Sequence, residues 1–403
     1  LYSVLPADGV GDFTFSRNSA ATRINKDGLI ETVAVGKSRL NYPLIDGVVN
    51  GCPSHLLEPS RLQQIQYSEA FDNAYWTKLG LLTPTSGFVS PKGDLSAFKL
   101  VEDSSNAFHG IYQNASVSLP IGKITMSIFV KANGRDYFQL RTGSAAGITG
   151  APLYANFDLT NDSVSASSSG VDNAKIEPFT NNWKKISISF TVTSGSQASL
   201  VFQPITTNSA AIGETYQGDG TSGVYIFGAQ IEQGSYPTSY IPNYGTSAGI
   251  TRVAETANGA GDASTFNDSE GVLMVETKVL DISTSNSWIS LSEDANINNN
   301  QFNLRFVADS NLIQAVSRAG GLGQDVVLQY TLTDKTLTNK ISIKYKLNDW
   351  ALWVNGFEVD TETSSNAFTP NSLDVLDFDR GNNSNNFYGS AKQLQYFDSA
   401  LND

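Results

Sequence analysis

Residues 340–362 read KISIKYKLNDWALWVNGFEVDTE, and the first eight of them decide the fold class. Ile341, Ile343, Tyr345 and Leu347 alternate with Lys340, Ser342, Lys344 and Lys346. A period of two is that of a β-strand with one face in a core and its lysines in water. Asn355-Gly356 follows, the strongest two-residue hairpin signal, because a type I′ turn needs positive φ at both central residues. Pairing away from that turn sets Val354 opposite Phe357, Trp353 opposite Glu358, Leu352 opposite Val359 and Ala351 opposite Asp360. Leu352, Val354, Phe357 and Val359 then make a core face, with Trp350 on the same side. Trp353, Glu358, Asp360 and Glu362 share the outer one.

The alternation recurs. QFNLRFVAD turns Phe302, Leu304 and Phe306 inward, and KISISFTVT does the same with Ile186, Ile188 and Phe190. Polar turn clusters such as DLTNDSVSASSSGVDN and DRGNNSNN separate the runs. Helical periodicity is nearly absent, and Ser60 to Phe71 is the best short helix candidate. The fold class expected is all-β, with two antiparallel β-sandwich (jelly-roll) domains after a Gly/Asn/Pro-rich N-terminal segment. The segment covers 1–59, extended and with short strands at most. The first sandwich covers 60–242 and the second 262–403. A Pro/Tyr/Gly/Ser-rich linker, 243–261, lies between them. SAATRI (Ser19–Ile24) and SAGITRV (Ser247–Val253) echo one another ahead of the two domains.

Composition narrows the function. A chain of 403 residues with 40% hydrophobic and only 16% charged residues carries its polarity on Ser, Thr, Asn, Gln and Gly, as extracellular and virion β-proteins do. The net charge of −13 repels nucleic acid and anionic lipid, so neither is expected as a partner. Cys52 is the single cysteine, which excludes an intrachain disulfide and argues against a metal-thiolate site. No apolar run approaches the ~20 residues of a membrane span, and no signal-peptide pattern opens the sequence. Residue 1 is not Met and reads like mid-protein sequence, so a preceding segment is expected.

Three blocks in order carry a resemblance. They are FTFSRNSAATRINKDGLIETV, then HLLEPSRLQQIQYSEAFDNAYWTK, then GAQIEQGSYPTSYIPNYGTSAGITRVAET. Together they resemble bacteriophage tail-fibre and related virion-surface structural proteins. The stretch holding ISIKYKLNDWALWVNGFEVDTETS and FYGSAKQLQYFDSALND is similar to the laminin-G/concanavalin-like jelly roll that ends many of them. The chain departs from the family pattern at Arg39-Leu40-Asn41-Tyr42, where Arg-Leu-Asp-Tyr is usual, and at Arg61-Leu62-Gln63, where RTN is common. The resemblance implies a carbohydrate-binding-module-like first sandwich and an appendage on the virion surface. It further implies a homotrimer that touches host-surface polysaccharide beside other virion proteins. It makes Trp76 and Trp183 structural anchors. Carbohydrate-binding modules of this kind often tie their ends with Ca²⁺, for which Glu69 and Glu232 are the candidates; no cofactor is required.

The EVDTE run also resembles the acid/nucleophile strand of laminarinase-type glycosidases. A retaining pair needs carboxyls ~5–5.5 Å apart. Glu358 and Glu362 lie ~13 Å apart by strand rise, a gap that long side chains close in part, so distance alone does not decide and position does more. The acids begin two residues after a turn, at a strand's exposed end, so no catalytic residue is assigned. His55 and His109 stand in no lyase or zinc pattern, and no nucleophile elbow or phosphate loop occurs. Asp377 and Asp379 alternate into an Asn-rich loop that reads as solvated more readily than as a cation site. Sugar binding by a sandwich uses flat rings with Asp, Asn or Gln beside them. The candidate contacts are therefore Trp353 with Glu358 and Asp360, then Trp288, Tyr112, Tyr137 and Tyr154. The reading is a non-catalytic glycan-attaching appendage. The alternatives are a depolymerase using Glu358 and Glu362, and an architectural decoration protein with no ligand.

Overall fold

The computed structural model describes residues 12–113, 117–281 and 285–401. Among them every ladder of strands is antiparallel, and the one helical element is a single 3₁₀ turn, Thr180–Asn182. Among the described residues no helix is long and apolar enough to cross a membrane. Two β-sandwiches result, as the alternation predicts.

The first sandwich stacks two six-stranded sheets. One is built around Gly122–Asn133, with Lys184–Val192 and Gly223–Gln233 at its sides. The other is ordered Ser163–Ser167, Tyr154–Asp158, Tyr137–Thr142, Leu200–Ile205, Gly110–Gln113 and Trp76–Leu79. Ile186, Ile188 and Phe190 face the core between them, with Trp76 and Phe202. Trp76 also donates its indole N–H to the Tyr67 carbonyl at 3.0 Å.

The second sandwich pairs a seven-stranded sheet with a five-stranded one. The seven run Phe357–Glu362, Trp350–Val354, Asn339–Lys346, Glu270–Val279, Gly389–Phe397, Ser54–Leu57 and Leu40–Asn41. The five run Val327–Thr331, Leu312–Arg318, Gln301–Phe306, Ser287–Ser292 and Val375–Asp377. Ile341, Ile343 and Tyr345 are buried beside Phe302, Leu304 and Phe306, as their alternation requires. Leu347 is not: it lies beyond the strand end, half in solvent, because the chain has already entered the turn to Trp350.

The described part of the N-terminal segment, 12–59, carries the short strands expected of it, but it does not stand apart. Leu40–Asn41 and Ser54–Leu57 extend the second sandwich's sheet, and Phe13 and Leu57 enter that core. Ile24, Ile30 and Leu44 cover an aromatic cluster of Phe129, Phe179, Trp183, Phe227 and Tyr240 on the outside of the first sandwich. Residues 243–261 are no free linker either: Ile250–Arg252 pairs with Arg61–Gln63, and Thr256–Asn258 with Thr14–Ser16. The echoed segments meet, since Val253 N–H donates to Ser19 Oγ at 2.9 Å.

A buried ionic cluster fastens this joint. Glu255 accepts from Arg17 Nη1 at 2.7 Å, Arg39 Nε at 2.8 Å and the Glu58 N–H at 2.9 Å. Glu58 accepts from Arg39 at 2.8 Å, Arg252 at 2.8 Å and the Ser239 N–H at 2.8 Å. All five charged side chains are buried. Burial raises the Glu58 pKa, but Arg252 and Arg39 outweigh it and hold the carboxyl below the usual range.

The expected helix at 60–71 is absent. Gln63 explains it: its side chain donates to Ala229 O at 2.8 Å and accepts from Ile231 N–H at 3.0 Å, binding the segment to the closing strand Gly223–Gln233. Ile65 and Phe71 then sink into the sandwich core. Asn41 also makes a working contact, its Oδ1 accepting the Ile24 N–H at 2.8 Å.

Candidate functional site

The hairpin turn has the expected backbone, with φ of 51° at Asn355 and 88° at Gly356. Val354 pairs with Phe357 and Trp353 with Glu358. A bulge follows, so that Leu352 pairs with Asp360 and Trp350 with Glu362, not with the partners that simple pairing assigns. Directly opposed residues share a face, so the bulge divides the acids. Glu358 stays with Trp353 on the outer face, whereas Asp360 and Glu362 fall on the side of Leu352 and Trp350. Asp360 Oδ2 accepts the Gln329 N–H at 2.8 Å, and Glu362 accepts the Thr363 and Ser364 N–H groups, both at 2.9 Å. The expected patch of three acids beside Trp353 does not form, and Glu358 and Glu362 do not face each other. Phe357, expected in the core, is 74% exposed.

Trp353 is half-buried in a groove of about 380 Å³ across the seven-stranded sheet, lined also by Val272, Met274, Ser342, Leu401 and the stems of Lys340 and Lys344. The floor is apolar, and Lys344 is bonded to Asp349 at 3.1 Å.

Trp288 belongs to the outer face of the five-stranded sheet but is no open platform, being only 9% exposed. The guanidinium carbons of Arg305 and Arg380 lie 5.4 and 5.3 Å from its ring centroid. Strand pairing places Trp288, Arg305, Gln314 and Gln329 in one row across four strands. Arg305 donates to Gln314, Gln314 Nε2 donates to Gln329 Oε1 at 3.2 Å, and Gln329 N–H meets Asp360. Two residues along lie Ser290 and Asn303, and then Ser292, Gln301 and Arg318. The loop after Asp379 borders this face, with Gln301 Nε2 donating to the Arg380 carbonyl at 2.6 Å. Burial lowers the Arg305 pKa, and the Arg380 charge lowers it further. Of fourteen buried side-chain polar atoms without a partner among the described residues, five lie here: Trp288 Nε1, Ser292 Oγ, Asn303 Oδ1, Arg305 Nε and Arg380 Nε.

The three tyrosines share the outer face of the first sandwich. Tyr112, Val201, Arg141 and Tyr154 form one row, and Tyr137 lies beside Ile205 and Asp158. The centre of that face is covered, because the buried amides of Gln139, Asn156 and Gln203 bind the loop 206–214 through Gly213 N, Ala210 O and Glu214 O. The tyrosines therefore flank a covered centre and do not make a continuous platform.

A larger cleft, about 910 Å³, opens between the sandwiches, with Arg61, Lys123, Asp281, Asn286, Asn385 and Tyr388 in its wall. Its cations are spoken for: Lys123 lies 2.8 Å from Asp172, and Arg61 lies 3.6 Å from Glu232.

The calcium candidates do not combine. Glu69 accepts from Lys92 at 2.8 Å and Tyr240 at 3.0 Å, while Glu232 accepts from Thr238 N at 2.9 Å and Thr238 Oγ1 at 2.6 Å. Oxygens already committed to an ammonium and to hydroxyls are poor cation ligands. Asp377 and Asp379 are buried, not solvated. Asp377 accepts the Gly259 N–H at 2.6 Å, and Asp379 accepts Asn258 Nδ2 at 2.7 Å. Burial, with the Asp379 charge behind it, pushes Asp377 up to about 7. No group of three or more metal-ligating side chains occurs among the described residues.

Sequence reasoning missed the Arg305–Gln314–Gln329 row. The alternation that turns Phe302, Leu304 and Phe306 inward also turns Asn303 and Arg305 outward, so half of the signal was there; the register joining them to Gln314 and Gln329 was not.

No family model and no curated protein matches the chain. Solved structures to which it is similar include the CBM40 module of a Ruminococcus gnavus IT-sialidase, at 16% identity over 36% of this chain and 89% of that one, with a TM-score of 0.30. Sheep galectin-11 in complex with glycerol is 8% identical over 32% and 89%, with a TM-score of 0.24. Domains LG4-5 of the mouse laminin α1 chain are 11% identical over 72% and 92%, with a TM-score of 0.24.

Proposed function

We propose that this chain is a non-catalytic glycan-binding appendage on the virion surface of a tailed phage, and that it attaches through the outer face of the five-stranded sheet. The observation that carries the binding reading is the row Trp288–Arg305–Gln314–Gln329. Amide groups offer a donor beside an acceptor and guanidinium groups offer paired donors, both in flat forks, the arrangement that matches neighbouring sugar hydroxyls. Strands spaced ~4.8 Å apart repeat them along a line, which suits an extended saccharide better than a compact ligand. The phage setting, the homotrimer and the contact with other virion proteins rest on the three sequence blocks and their order. A trimer would multiply weak single-site contacts by avidity.

Binding to host cells and to a glycan array, with a reducing-end assay beside it, tests the reading. Gln314→Ala with Gln329→Ala abolishes binding and leaves the fold intact, since both side chains lie at least partly in solvent. Trp353→Ala leaves binding in place, and no reducing ends appear. Binding that survives the double substitution, or release of reducing ends, overturns it.

A further inference from the structure

We propose that this face selects acidic polysaccharide, its Arg305–Trp288–Arg380 end holding an oxyanion, carboxylate or sulfate, borne on the sugar. The inference rests on the glycan-binding reading and names the ligand class. Six of the ten arginines, Arg17, Arg23, Arg39, Arg61, Arg135 and Arg252, have a carboxylate oxygen within 4.0 Å. The remaining four are Arg141, Arg305, Arg318 and Arg380, and three of these belong to this one sheet face. In a chain with 39 acidic and 26 basic side chains, cations that have gathered with no carboxylate oxygen within 4.0 Å among the described residues are out of keeping with the rest of the surface.

The nearby carboxylates are turned elsewhere. Asp379 is held by Asn258 Nδ2 and the Gly381 N–H, Asp377 by the Gly259 N–H, and Asp360 by Gln329 N–H at the far end of the row. Two guanidiniums against one indole repel each other, and both are half-withdrawn from water. Such an arrangement works against stability unless an anion completes it, the usual mark of a site kept for its ligand. Guanidinium forks bind carboxylate and sulfate oxygens in pairs. The row is thus polarised: charge is read at the Trp288 end, and hydroxyls are read over Gln314 and Gln329. Arg318 lies ~13 Å from Arg305 along the strands by rise, in place for a second acidic substituent of a repeating polymer.

Galacturonate, glucose 6-sulfate and inorganic sulfate are titrated into the full chain, with neutral galactose as control, and the five tryptophan indole N–H resonances are followed. One resonance, the one missing in Trp288→Phe, shifts saturably with at least one anion and not with galactose. Galacturonate against the sulfates tells a uronic polymer from a sulfated one. Arg305→Gln and Arg380→Gln each weaken the anion ~10-fold or more. Each relieves like-charge repulsion but also removes a guanidinium–indole contact, so the four other indole resonances, unmoved, are the check that the fold is intact. No saturable shift with any anion, or a shift that persists in both variants, overturns the inference. If array binding then still depends on Gln314 and Gln329, only the acidic selectivity falls. An anion shift without array binding retains the oxyanion site and removes the glycan reading beneath it.

Discussion

Replacing Glu255 by Ala removes the acceptor on which the whole joint converges. In the native cluster three arginines, Arg17, Arg39 and Arg252, face two carboxylates, Glu58 and Glu255, with every side chain buried. The substitution leaves three positive charges against one: Arg17 loses its carboxylate partner, and Arg39 and Arg252 are left to share Glu58, in a site that water does not reach. Breaking a buried ion pair costs ~3–5 kcal/mol. The Glu58 N–H also loses its acceptor, for about 1 kcal/mol more. A loss of ~4–6 kcal/mol is comparable with the ~5–15 kcal/mol that holds most proteins folded. Because Glu255 bonds Arg17 and Arg39 of the N-terminal segment, the damage reaches both sandwiches. Urea unfolding followed by tryptophan fluorescence measures the cost. The matched replacement Arg17→Met with Glu255→Leu separates lost charge pairing from lost packing, since an apolar substitute for a buried pair is often tolerated. A loss under ~1 kcal/mol for Glu255→Ala, against the 3–5 expected of a broken buried pair, refutes the reasoning.

Other outcomes follow from the same geometry. Burial and the Arg39 charge push His55 down to about 3, while Asp377 is pushed up to about 7 from 3.8. His55 loses stability as pH falls from its unfolded value through the folded one, and Asp377 loses it as pH rises from 3.8 to about 7, worth up to ~4 kcal/mol. The two oppose each other over one window, so Asp377→Asn gains stability at pH 8 and becomes steeply acid-sensitive below pH ~6.5, the ordinary histidine value, in urea melts across pH. Burial predicts that Leu352→Ala costs ~2–5 kcal/mol, whereas Phe357→Ala, at an exposed position, stays within ~0.5 kcal/mol; unfolding curves decide. Glu358→Gln and Glu362→Gln leave glycan binding unchanged, because Glu358 faces outward from the seven-stranded sheet beside Trp353 and Glu362 accepts the Thr363 and Ser364 N–H groups.

Much of the architecture was legible because it depends on short-range alternation. Lys340–Leu347, Gln301–Phe306 and Ile186–Phe190 all bury their alternate apolar residues, apart from Leu347 at a strand end. What depends on long-range pairing was not legible. A bulge costs one residue, leaves no mark in composition, and moved Asp360 and Glu362 to the other side of their strand. Nor does the sequence show that Ser54–Leu57 would pair with Gly389–Phe397, or that Arg17 and Arg252 would bury charge beside acids drawn from distant segments. The candidate site was half readable: Trp288 was singled out, but as an exposed ring, and its two guanidinium neighbours come from another strand and from a loop.

Hydrogen–deuterium exchange with and without a bound acidic oligosaccharide tests the central claim most directly. The claim predicts protection in Ser287–Ser292, Gln301–Phe306, Leu312–Arg318 and Val327–Thr331, the four strands that carry the row. Protection confined to the hairpin of Trp350–Val354 and Phe357–Glu362, or to the walls of the cleft between the sandwiches, contradicts it.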